Sequence, residues 1–479
     1  MRQFISYSTL DIDLNKFKNN LLTWSDNFNR ICYLNSNFSD NNHGSQGTGN
    51  NNDFSLNPQS LQSLNPQGFE NPEGFQEIYN NYDCIAAVGS VSEITVISGN
   101  AFSAIKKFFD IKQDWLFGFF TYDLKNEVEE LKSENFDGIK MPLLHFFQPE
   151  YVFIINKDNI QIGFLEELTT KDEIHKLFEQ INDFGSAKHR DAMHRVYTSD
   201  IQIKSSITRE QYLNSVHKLK EHIRYGDIYE VNFCQEFYAE NAEIDPLHVY
   251  MKLNDISLAP FSCYYRLGDK HLMSASPERF MKKTGRKIIS QPIKGTIHRG
   301  ATKEEDDVLR QLLLNDPKER GENVMIVDLV RNDLSKTAKK GSVRVEELFG
   351  IYTFRQVHQM ISTVASELRE EAHFIEAIKS AFPMGSMTGA PKVRAMELIE
   401  EHESTKRGLY SGAVGYITPE GDFDLNVVIR SILYNQAEKY LSFMVGGAIT
   451  DKSIPEKEYE ECLLKAKAMF EVFNNDFTD

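Results

Sequence analysis

Short runs of apolar residues, often alternating with polar ones, recur through most of this chain. Such runs, about four to eight residues long and bounded by turn-forming positions, predict β-strands. One of them, YVFIINKDNIQIGF, turns at 157–159 and predicts a hairpin. The other segments predicted as strands are CIAAVGSV, EITVIS, DWLFGFFTYDL, IYEVNFCQEFYAE, FSCYYRL, HLMSASPERFM, KIISQPIKGT, GLYSGAVGYIT, FDLNVVIRSILYN and KYLSFMVGGAIT.

Apolar residues three and four positions apart predict helices between these strands. Thr208 followed by Gln211 fits a capping box at the start of one helix, which ends at Gly226. Asp316 before Pro317 predicts another helix start, and a last helix is predicted at about 455–470. Strands joined by local turns, with helices between them, indicate an α+β fold and not a doubly wound parallel sheet.

Composition and charge narrow the class of protein. The length of 479 residues exceeds what one hydrophobic core usually supports. The formal net charge of −17 argues against non-specific binding to nucleic acid or an anionic membrane. The five cysteines lack a CxxC spacing, so reduced thiols are expected and not a zinc site or disulfides. No signal peptide or membrane-spanning run is visible, which favours a cytoplasmic protein.

One segment, from 36 to about 75, differs in composition from the rest of the chain. It is rich in Asn, Gly, Ser and Gln, and the string SLNPQ occurs in it twice. Such a segment buries too little apolar surface to offset the entropy of ordering, which predicts a flexible insertion. The insertion interrupts an N-terminal α/β region at 1–170. The polar stretch 171–205 is predicted to link this region to a second domain at 206–474.

Four glutamates form two pairs with the same spacing. Glu319 and Glu322 lie three positions apart on one predicted helix, and Glu458 and Glu461 repeat this on the last helix. Residues with this spacing share a helix face, and Mg²⁺ prefers carboxylate oxygens as ligands. A solvated acidic face has the same spacing, so both interpretations stay open at this point.

The segment FPMGSMTGAPKVRAMELIE at 382–400 combines glycines and small hydroxyl residues with a helix start. Free backbone N–H groups at a helix start can hold a carboxylate or phosphate. An ordinary turn into a helix would have the same composition. The spacing does not match a Walker loop.

Three single residues are candidates for nucleophilic attack or proton transfer. Lys294 lies among apolar and glycine neighbours, and a lysine whose pKa is depressed by burial becomes a nucleophile. An isolated lysine in a strand more commonly just reaches solvent. A partly buried Glu278 could hold its proton near neutral pH as a general acid, or pair with Arg279 at the surface. His358 could serve a site or be a hydrogen-bonded core histidine.

Several of these motifs occur together in one order, namely SASPERF, PIKGT, ENVMIVDLVRNDL, MTGAPKVRAMELI, SGAVGY, VVIRS and GGAIT…EYEECLLKA. In that order they resemble the chorismate-utilising enzymes, and among them the large component of aminodeoxychorismate synthase, which is close to anthranilate synthase component I. The resemblance covers about 206–470, and more loosely 84–164. It implies orthogonally packed antiparallel β-sheets flanked by helices, with a chorismate-binding catalytic domain at 206–474.

The resemblance also implies a metal centre. Glu322 and Glu461 match direct Mg²⁺ ligands, and Glu319 and Glu458 match supporting positions around them. The ion would bind the ring carboxylate of chorismate.

Further roles follow from the same resemblance. Glu278 matches the general acid for the departing 4-hydroxyl, and His358 matches a histidine that lines the same pocket. Arg430 and Tyr416 match groups that hold the enolpyruvyl carboxylate. The remaining substrate contacts implied are Gly447, Thr388 and Gly389.

Two positions imply which reaction follows. Water-adding relatives have a lysine where this chain has Glu230, and anthranilate synthases usually have alanine in place of Lys294. Lysine there resembles aminodeoxychorismate synthases, in which it attacks C2 before ammonia adds at C4. That family often has glutamine at the position of Glu230, so the role of this carboxylate stays open.

No cysteine lies in a nucleophile elbow, so the resemblance implies a separate glutamine amidotransferase subunit that supplies the ammonia. The product would be 4-amino-4-deoxychorismate, the precursor of 4-aminobenzoate and folate. The first alternative is anthranilate synthase component I, against which only Lys294 speaks. The second is a non-catalytic homologue that binds chorismate or a partner.

Overall fold

The alternating segments form two antiparallel sheets in the computed structural model, which describes residues 1–37, 82–184, 201–354 and 357–474. The first sheet has twelve strands. In pairing order they are β1 (Arg2–Ser8), β8 (Asn159–Leu165), β7 (Tyr151–Ile155), β3 (Cys84–Val88), β2 (Arg30–Asn35), β11 (Phe261–Leu267), β12 (Lys270–Ser276), β21 (Ser431–Asn435), β22 (Tyr440–Ile449), β10 (Glu230–Ala239) and β18 (Gly389–Ala390), with β9 (Lys204–Ser205) also on β10.

The second sheet has ten strands. In pairing order they are β15 (Ile293–His298), β17 (Val357–Glu367), β14 (Lys287–Gln291), β13 (Arg279–Thr284), β20 (Phe423–Val427), β19 (Ala413–Ile417), β5 (Leu116–Phe120), β6 (Leu144–Gln148) and β4 (Ser92–Val96), with β16 (Arg344–Thr353) also on β17. Apolar side chains of both sheets meet in one cluster, which includes Cys32, Phe117 and Tyr265. The core therefore lies between the sheets.

Helices flank the two sheets, as the α+β prediction requires. They are α1 (Leu14–Ser25), α2 (Ala101–Lys112), α3 (Lys125–Val128), α4 (Lys171–Asp183), α5 (Arg209–Tyr225), α6 (Pro246–Ser257), α7 (Lys303–Asn315), α8 (Pro317–Ser335), α9 (Phe374–Ala381), α10 (Lys392–His402) and α11 (Pro455–Val472). None of them, within the described ranges, is long and apolar enough to cross a membrane.

Both predicted helix starts are confirmed. The Thr208 hydroxyl accepts a hydrogen bond from the Gln211 N–H at 3.2 Å, and the Gln211 side chain accepts one from the Thr208 N–H at 2.7 Å. At α8 the Asp316 carboxylate accepts hydrogen bonds from the N–H groups of Lys318 at 2.8 Å and Glu319 at 3.0 Å. This cap fixes the first turn of α8 and so the position of Glu319.

Strands from both ends of the chain share each sheet. Strand β2 pairs with β11, and β5 pairs with β19. The segment predicted as a linker contains α4, and the Asn20 side chain of α1 donates a hydrogen bond to the carbonyl of Ile181 at 2.9 Å. The boundaries at 170 and 205 stay a prediction.

Most of the predicted insertion at about 36–75 lies outside the described residues. Its first two residues, Ser36 and Asn37, are buried. The Asn37 amide donates a hydrogen bond to the carbonyl of Ala259 at 2.9 Å, so the chain is still held in the fold at this point.

The segment FDLNVVIRSILYN was predicted as one strand, and this was wrong. It forms β20 in the second sheet and β21 in the first, with the break at 428–430. Arg430 adopts a left-handed backbone with φ of 52°. This conformation breaks the pleat and moves the chain from one sheet to the other. The apolar pattern runs on across the break, so it does not mark the crossing.

A fully buried ion pair joins β10 to the loop before β18. The Arg407 guanidinium pairs with the Glu403 carboxylate, with Nε and Oε2 2.9 Å apart. It also donates hydrogen bonds to the carbonyls of Met387 at 2.6 Å and Asn232 at 2.8 Å. Glu403 in turn accepts one from the Cys234 N–H at 2.9 Å. The pair satisfies backbone groups that would otherwise be buried without partners.

We predict that Arg407→Leu lowers the free energy of unfolding by about 3–5 kcal/mol, because it leaves the Glu403 charge buried and unpaired. Urea titration followed by circular dichroism measures the change. Adding Glu403→Leu should recover part of the loss. The control Lys140→Ala removes an ion pair with Glu438 that is more than half exposed, and should change stability far less. Equal stability of the single and double Arg407 variants would contradict the prediction.

Candidate active site

The candidate site lies where β10 meets the short strand β18. Glu230 pairs with Ala390, and Val231 pairs with Gly389. Gly389 has φ of 152°, and a Cβ atom there would lie 2.2 Å from the Glu230 carbonyl oxygen. Only glycine allows this approach. The pairing fixes the loop that ends in Thr388, which was predicted to contact substrate, directly beside Glu230.

Lys294 and Glu230 form a buried ion pair at the centre of the site. The Nζ–Oε1 distance is 2.7 Å, and the exposed fractions of the two side chains are 10% and 2%. Burial opposes the lysine charge, but the carboxylates of Glu230, Glu322 and Glu278 outweigh it and raise the pKa of Lys294. A depressed pKa, the condition under which burial alone would make Lys294 a nucleophile, is therefore not met in the free enzyme. The negative charge of these three glutamates stabilises the ammonium form of Lys294.

Glu278 has the environment predicted for a general acid. The side chain is buried, and burial raises the pKa of Glu278 to about 7, although Ser386 and Lys294 oppose the shift. The surface ion pair with Arg279 does not form. Arg279 is itself buried and pairs with Asp424, with Nε and Oδ1 2.8 Å apart. Glu278 can therefore hold a proton near neutral pH.

The four predicted metal ligands converge from α8 and α11 around one ammonium group, Lys318, which the sequence prediction missed. Their carboxylates raise the pKa of Lys318 against the effect of burial. Lys318 is four residues from Glu322, and its Nζ lies 3.8 Å from Oε1. The i,i+4 spacing was the signal available in the sequence. The four carboxylates are those of Glu319, Glu322, Glu458 and Glu461.

These carboxylates fit a cation that prefers oxygen ligands. Glu322 Oε1 is buried and has no hydrogen-bond partner among the described residues. Burial raises the pKa of Glu322 to about 7, a sign of missing positive charge. As the side chains stand, no three His, Cys, Asp or Glu residues of the described ranges are arranged to hold a metal ion. The four carboxylates are suitable ligands for such a cation. They would have to move closer together to bind it.

Gly447 brings the backbone of β22 next to the α11 carboxylates. A Cβ atom there would lie 3.6 Å from Glu458 Oε2 and 4.0 Å from Glu461 Oε1. Lys465 Nζ lies 2.8 Å from Glu461 Oε1 and donates a hydrogen bond to the Gly446 carbonyl. Burial acts to raise the pKa of Glu461, but the charge and hydrogen bond of Lys465 outweigh it, so the pKa is lowered. Gly447 therefore lies beside the α11 carboxylates, and its contact with substrate stays a prediction.

Arg430 enters the site from the crossing between the sheets. Burial lowers the pKa of Arg430, and the charges of Tyr410 and Glu461 oppose that shift. Tyr416, predicted as its partner, lies elsewhere. It packs against Trp115 and Phe117, with ring centroids 5.7 and 5.9 Å away.

Tyr410 replaces Tyr416 in the candidate site. Both tyrosines belong to the segment GLYSGAVGYIT. Tyr416 is in β19 and points into the aromatic core, whereas Tyr410 precedes the strand and faces Arg430. The sequence motif contains both residues, and only the fold distinguishes them.

Thr388 and His358 occupy different surroundings. Thr388 is fully buried, and its hydroxyl donates to the carbonyls of Met384 and Gly385. His358 in β17 lies between Asp306 and Thr353. Its Nε2 is 2.9 Å from Asp306 Oδ1, and its Nδ1 is 2.9 Å from Thr353 Oγ1. The two hydrogen bonds satisfy both ring nitrogens, as the core-histidine alternative expects. A role for His358 towards substrate stays a prediction.

A family model described as a chorismate binding enzyme matches residues 69–471. The chain belongs to the chorismate binding enzyme family. The predicted resemblance and the α+β fold are confirmed.

Relatives with two different enzyme names match this chain at nearly equal sequence identity. It is 34% identical over 365 residues to anthranilate synthase component 1 of Acetivibrio thermocellus, covering 74% of this chain and 73% of that one. It is 35% identical over 344 residues to aminodeoxychorismate synthase component 1 of Escherichia coli (strain K12), covering 72% and 73%. The choice between the two reactions therefore rests on residues of the site.

A solved structure supports the same assignment to the chorismate binding enzymes. Anthranilate synthase component I from Streptococcus pneumoniae TIGR4 superposes with a TM-score of 0.71 at 28% identity, over 80% of this chain and 91% of that chain. The two-sheet architecture is thus that of a chorismate-utilising enzyme.

We predict that Glu278→Gln stabilises the protein increasingly as the pH rises from about 5 to 8. The folded-state pKa of Glu278, about 7, lies above its usual value, so unfolding releases a proton between these two values. Wild-type stability therefore falls over this interval, and the glutamine variant lacks the loss. The gain should approach about 3 kcal/mol at the alkaline end.

Urea titration of both proteins at several pH values measures this difference. The exposed Glu456→Gln serves as the control and should show no such trend. A constant difference between Glu278→Gln and wild type over the whole range would contradict the raised pKa.

Proposed function

We propose that this chain is the large component of an aminodeoxychorismate synthase, which converts chorismate and ammonia to 4-amino-4-deoxychorismate. The observation that carries the proposal is Lys294, a buried primary amine among Glu230, Glu278 and Glu322. An amine so enclosed is suited to attack a bound ring and not to contact solvent. In the anthranilate synthases this position is usually alanine, which cannot do so.

Substrate binding uses both charged ends of the site. Arg430 and Tyr410 would hold the enolpyruvyl carboxylate, since a guanidinium can donate two parallel hydrogen bonds to a carboxylate. Mg²⁺ bound by Glu322 and Glu461, with Glu319 and Glu458 around it, would supply positive charge for the ring carboxylate. Two anchors at opposite ends of chorismate fix C2 and C4 relative to Lys294 and Glu278.

The chemistry then needs one nucleophile and one acid. The neutral amine of Lys294 forms a bond to C2, the two ring double bonds shift, and the C4–O bond breaks. Glu278 donates its proton to the departing oxygen, which leaves as water. Ammonia then bonds to C4, the double bonds shift back, and the C2–N bond breaks with its electron pair returning to Lys294. The ring keeps its carboxylate and its enolpyruvyl group throughout.

The ammonia is proposed to come from a separate glutamine amidotransferase subunit. Relatives at about a third identity are named component 1, which implies a second component in those proteins. None of the five cysteines is suited to glutamine hydrolysis, because all are buried and burial raises the pKa of Cys84 and Cys462 to about 11.

Anthranilate synthesis is the second candidate function. It is favoured by the relative from Acetivibrio thermocellus, which carries that name at 34% identity. Incubating the purified protein with chorismate, ammonium and Mg²⁺, without any lyase, distinguishes the two candidate functions. Mass spectrometry should detect 4-amino-4-deoxychorismate. Appearance of fluorescent anthranilate would overturn the proposal.

We predict that Lys294→Ala lowers ammonia-dependent 4-amination at least roughly 100-fold, because it removes the attacking nitrogen. Equilibrium binding of chorismate should persist, since its two carboxylate anchors remain. Liquid chromatography of the product and a chorismate titration give the two quantities. The control Lys340→Ala removes an exposed lysine and should leave both unchanged. A covalent adduct that still forms in Lys294→Ala would contradict the assignment.

We predict that Mg²⁺ binds more tightly at about pH 8 than at about pH 6. Glu322, whose pKa burial raises to about 7, must lose its proton before it can act as a ligand. Calorimetric titration in buffers with different ionisation enthalpies measures affinity and proton release together. Glu322→Gln and Glu461→Gln should each weaken binding at least about tenfold, whereas the exposed Glu456→Gln should not. Equal affinity at both pH values would contradict the prediction.

A further inference from the structure

The ion pair between Lys294 and Glu230 bears on how the nucleophile is prepared. We propose that Glu230 is the proton acceptor for Lys294, taking the proton that must leave the ammonium before its nitrogen can attack the ring. This inference rests on the proposed function, because it assumes that Lys294 is the nucleophile. It gives Glu230 a catalytic role that the family resemblance left open.

The geometry places donor and acceptor in direct contact. Lys294 Nζ donates a hydrogen bond to Glu230 Oε1 at 2.7 Å, so a proton can pass without an intervening water. Glu230 is 1% exposed and is held in place by the pairing of β10 with β18. Proton transfer along this contact converts a buried ion pair into two neutral groups, which removes the cost of keeping both charges out of water.

The other oxygen of Glu230 has no competing donor in the part of the chain that the structure describes. Oε2 is buried and has no hydrogen-bond partner among the described residues. Among the described residues, the Lys294 ammonium is therefore the donor in contact with this carboxylate.

The surrounding charges explain why Lys294 needs such an acceptor. Besides Glu230, the charged groups facing its ammonium are the carboxylates of Glu322, Glu278, Glu319 and Glu461. They keep the lysine protonated in the free enzyme. Glu278 must retain its own proton for the departing hydroxyl, and the other three belong to the group around Lys318. Glu230 is the carboxylate in hydrogen-bond contact with Nζ.

The step balances in atoms and charge. The ammonium of Lys294 gives one proton to Glu230 Oε1, and the resulting amine bonds to C2 while the C4–O bond breaks. Lys294 then carries the positive charge as a secondary ammonium until ammonia bonds to C4 and the C2–N bond breaks. The released amine takes the proton back from Glu230, and the ion pair forms again. Glu278 regains its proton from the new ammonium group at C4.

The test measures the first half of the reaction alone. Chorismate and Mg²⁺ are mixed with excess enzyme without ammonia, and formation of the Lys294 adduct is followed by quenched flow and peptide mass. Glu230→Gln should slow adduct formation at least roughly 100-fold. Because glutamine accepts no proton, the variant's rate should rise about tenfold per pH unit, whereas the wild-type rate should stay nearly level. Chorismate binding should be unchanged.

Two further variants separate chemistry from structure. Glu230→Ala should regain adduct formation when acetate is added, since a free carboxylate can occupy the space left by the side chain. If Glu230 had only a structural role, acetate would not change the rate. The control Glu240→Gln, at the exposed residue just beyond the end of β10, should behave as wild type. A wild-type rate and pH profile in Glu230→Gln would overturn the proposal. Anthranilate as the wild-type product would instead overturn the proposed function, and with it the role of Lys294.

Discussion

The arrangement of the site depends on one electrostatic constraint, the crowding of carboxylates around two ammonium groups in a partly buried space. Six glutamates approach two ammonium groups, Lys294 and Lys318, and burial alone would drive their protonation. The glutamates are Glu230, Glu278, Glu319, Glu322, Glu458 and Glu461. Two of them, Glu278 and Glu322, have their pKa raised to about 7 by burial. The site is thus short of positive charge, which is the state that an oxygen-preferring cation would relieve.

The fold satisfies this constraint by bringing charges from distant segments to one place. Helices α8 and α11 carry one glutamate pair each, and each pair shares a face of its helix. Lys294 comes from the second sheet, and Glu230 comes from the first. Arg430 stands where the chain crosses between the sheets, in a left-handed conformation that the flanking strands hold. The site is therefore built at the junction of the two sheets, and neither sheet contains it alone.

Much of this could be predicted from the sequence because it depends on local patterns. Helix caps at Thr208 and Asp316 are read from neighbouring residues, and both formed as predicted. The crossing at Arg430 escaped prediction because apolar residues continue on both sides of it. Tyr416 was predicted, and Tyr410 was missed, for a related reason, since their shared motif does not show which tyrosine lies near the arginine. Such choices depend on contacts between segments far apart in the chain.

The protonation state of Lys294 depends on a balance that its own sequence neighbours do not show. Burial of a lysine by itself lowers its pKa, and the apolar neighbours in QPIKGT are compatible with such burial. The balance reverses because Glu230, more than sixty positions earlier, stands 2.7 Å from the ammonium. The proposed reaction requires Lys294 to lose its proton before it attacks, and Glu230, which accepts the hydrogen bond from its ammonium, is placed to take that proton. In the proposed reaction, the residue at position 230 would govern when Lys294 can react, and Lys294 would govern where the ring is attacked.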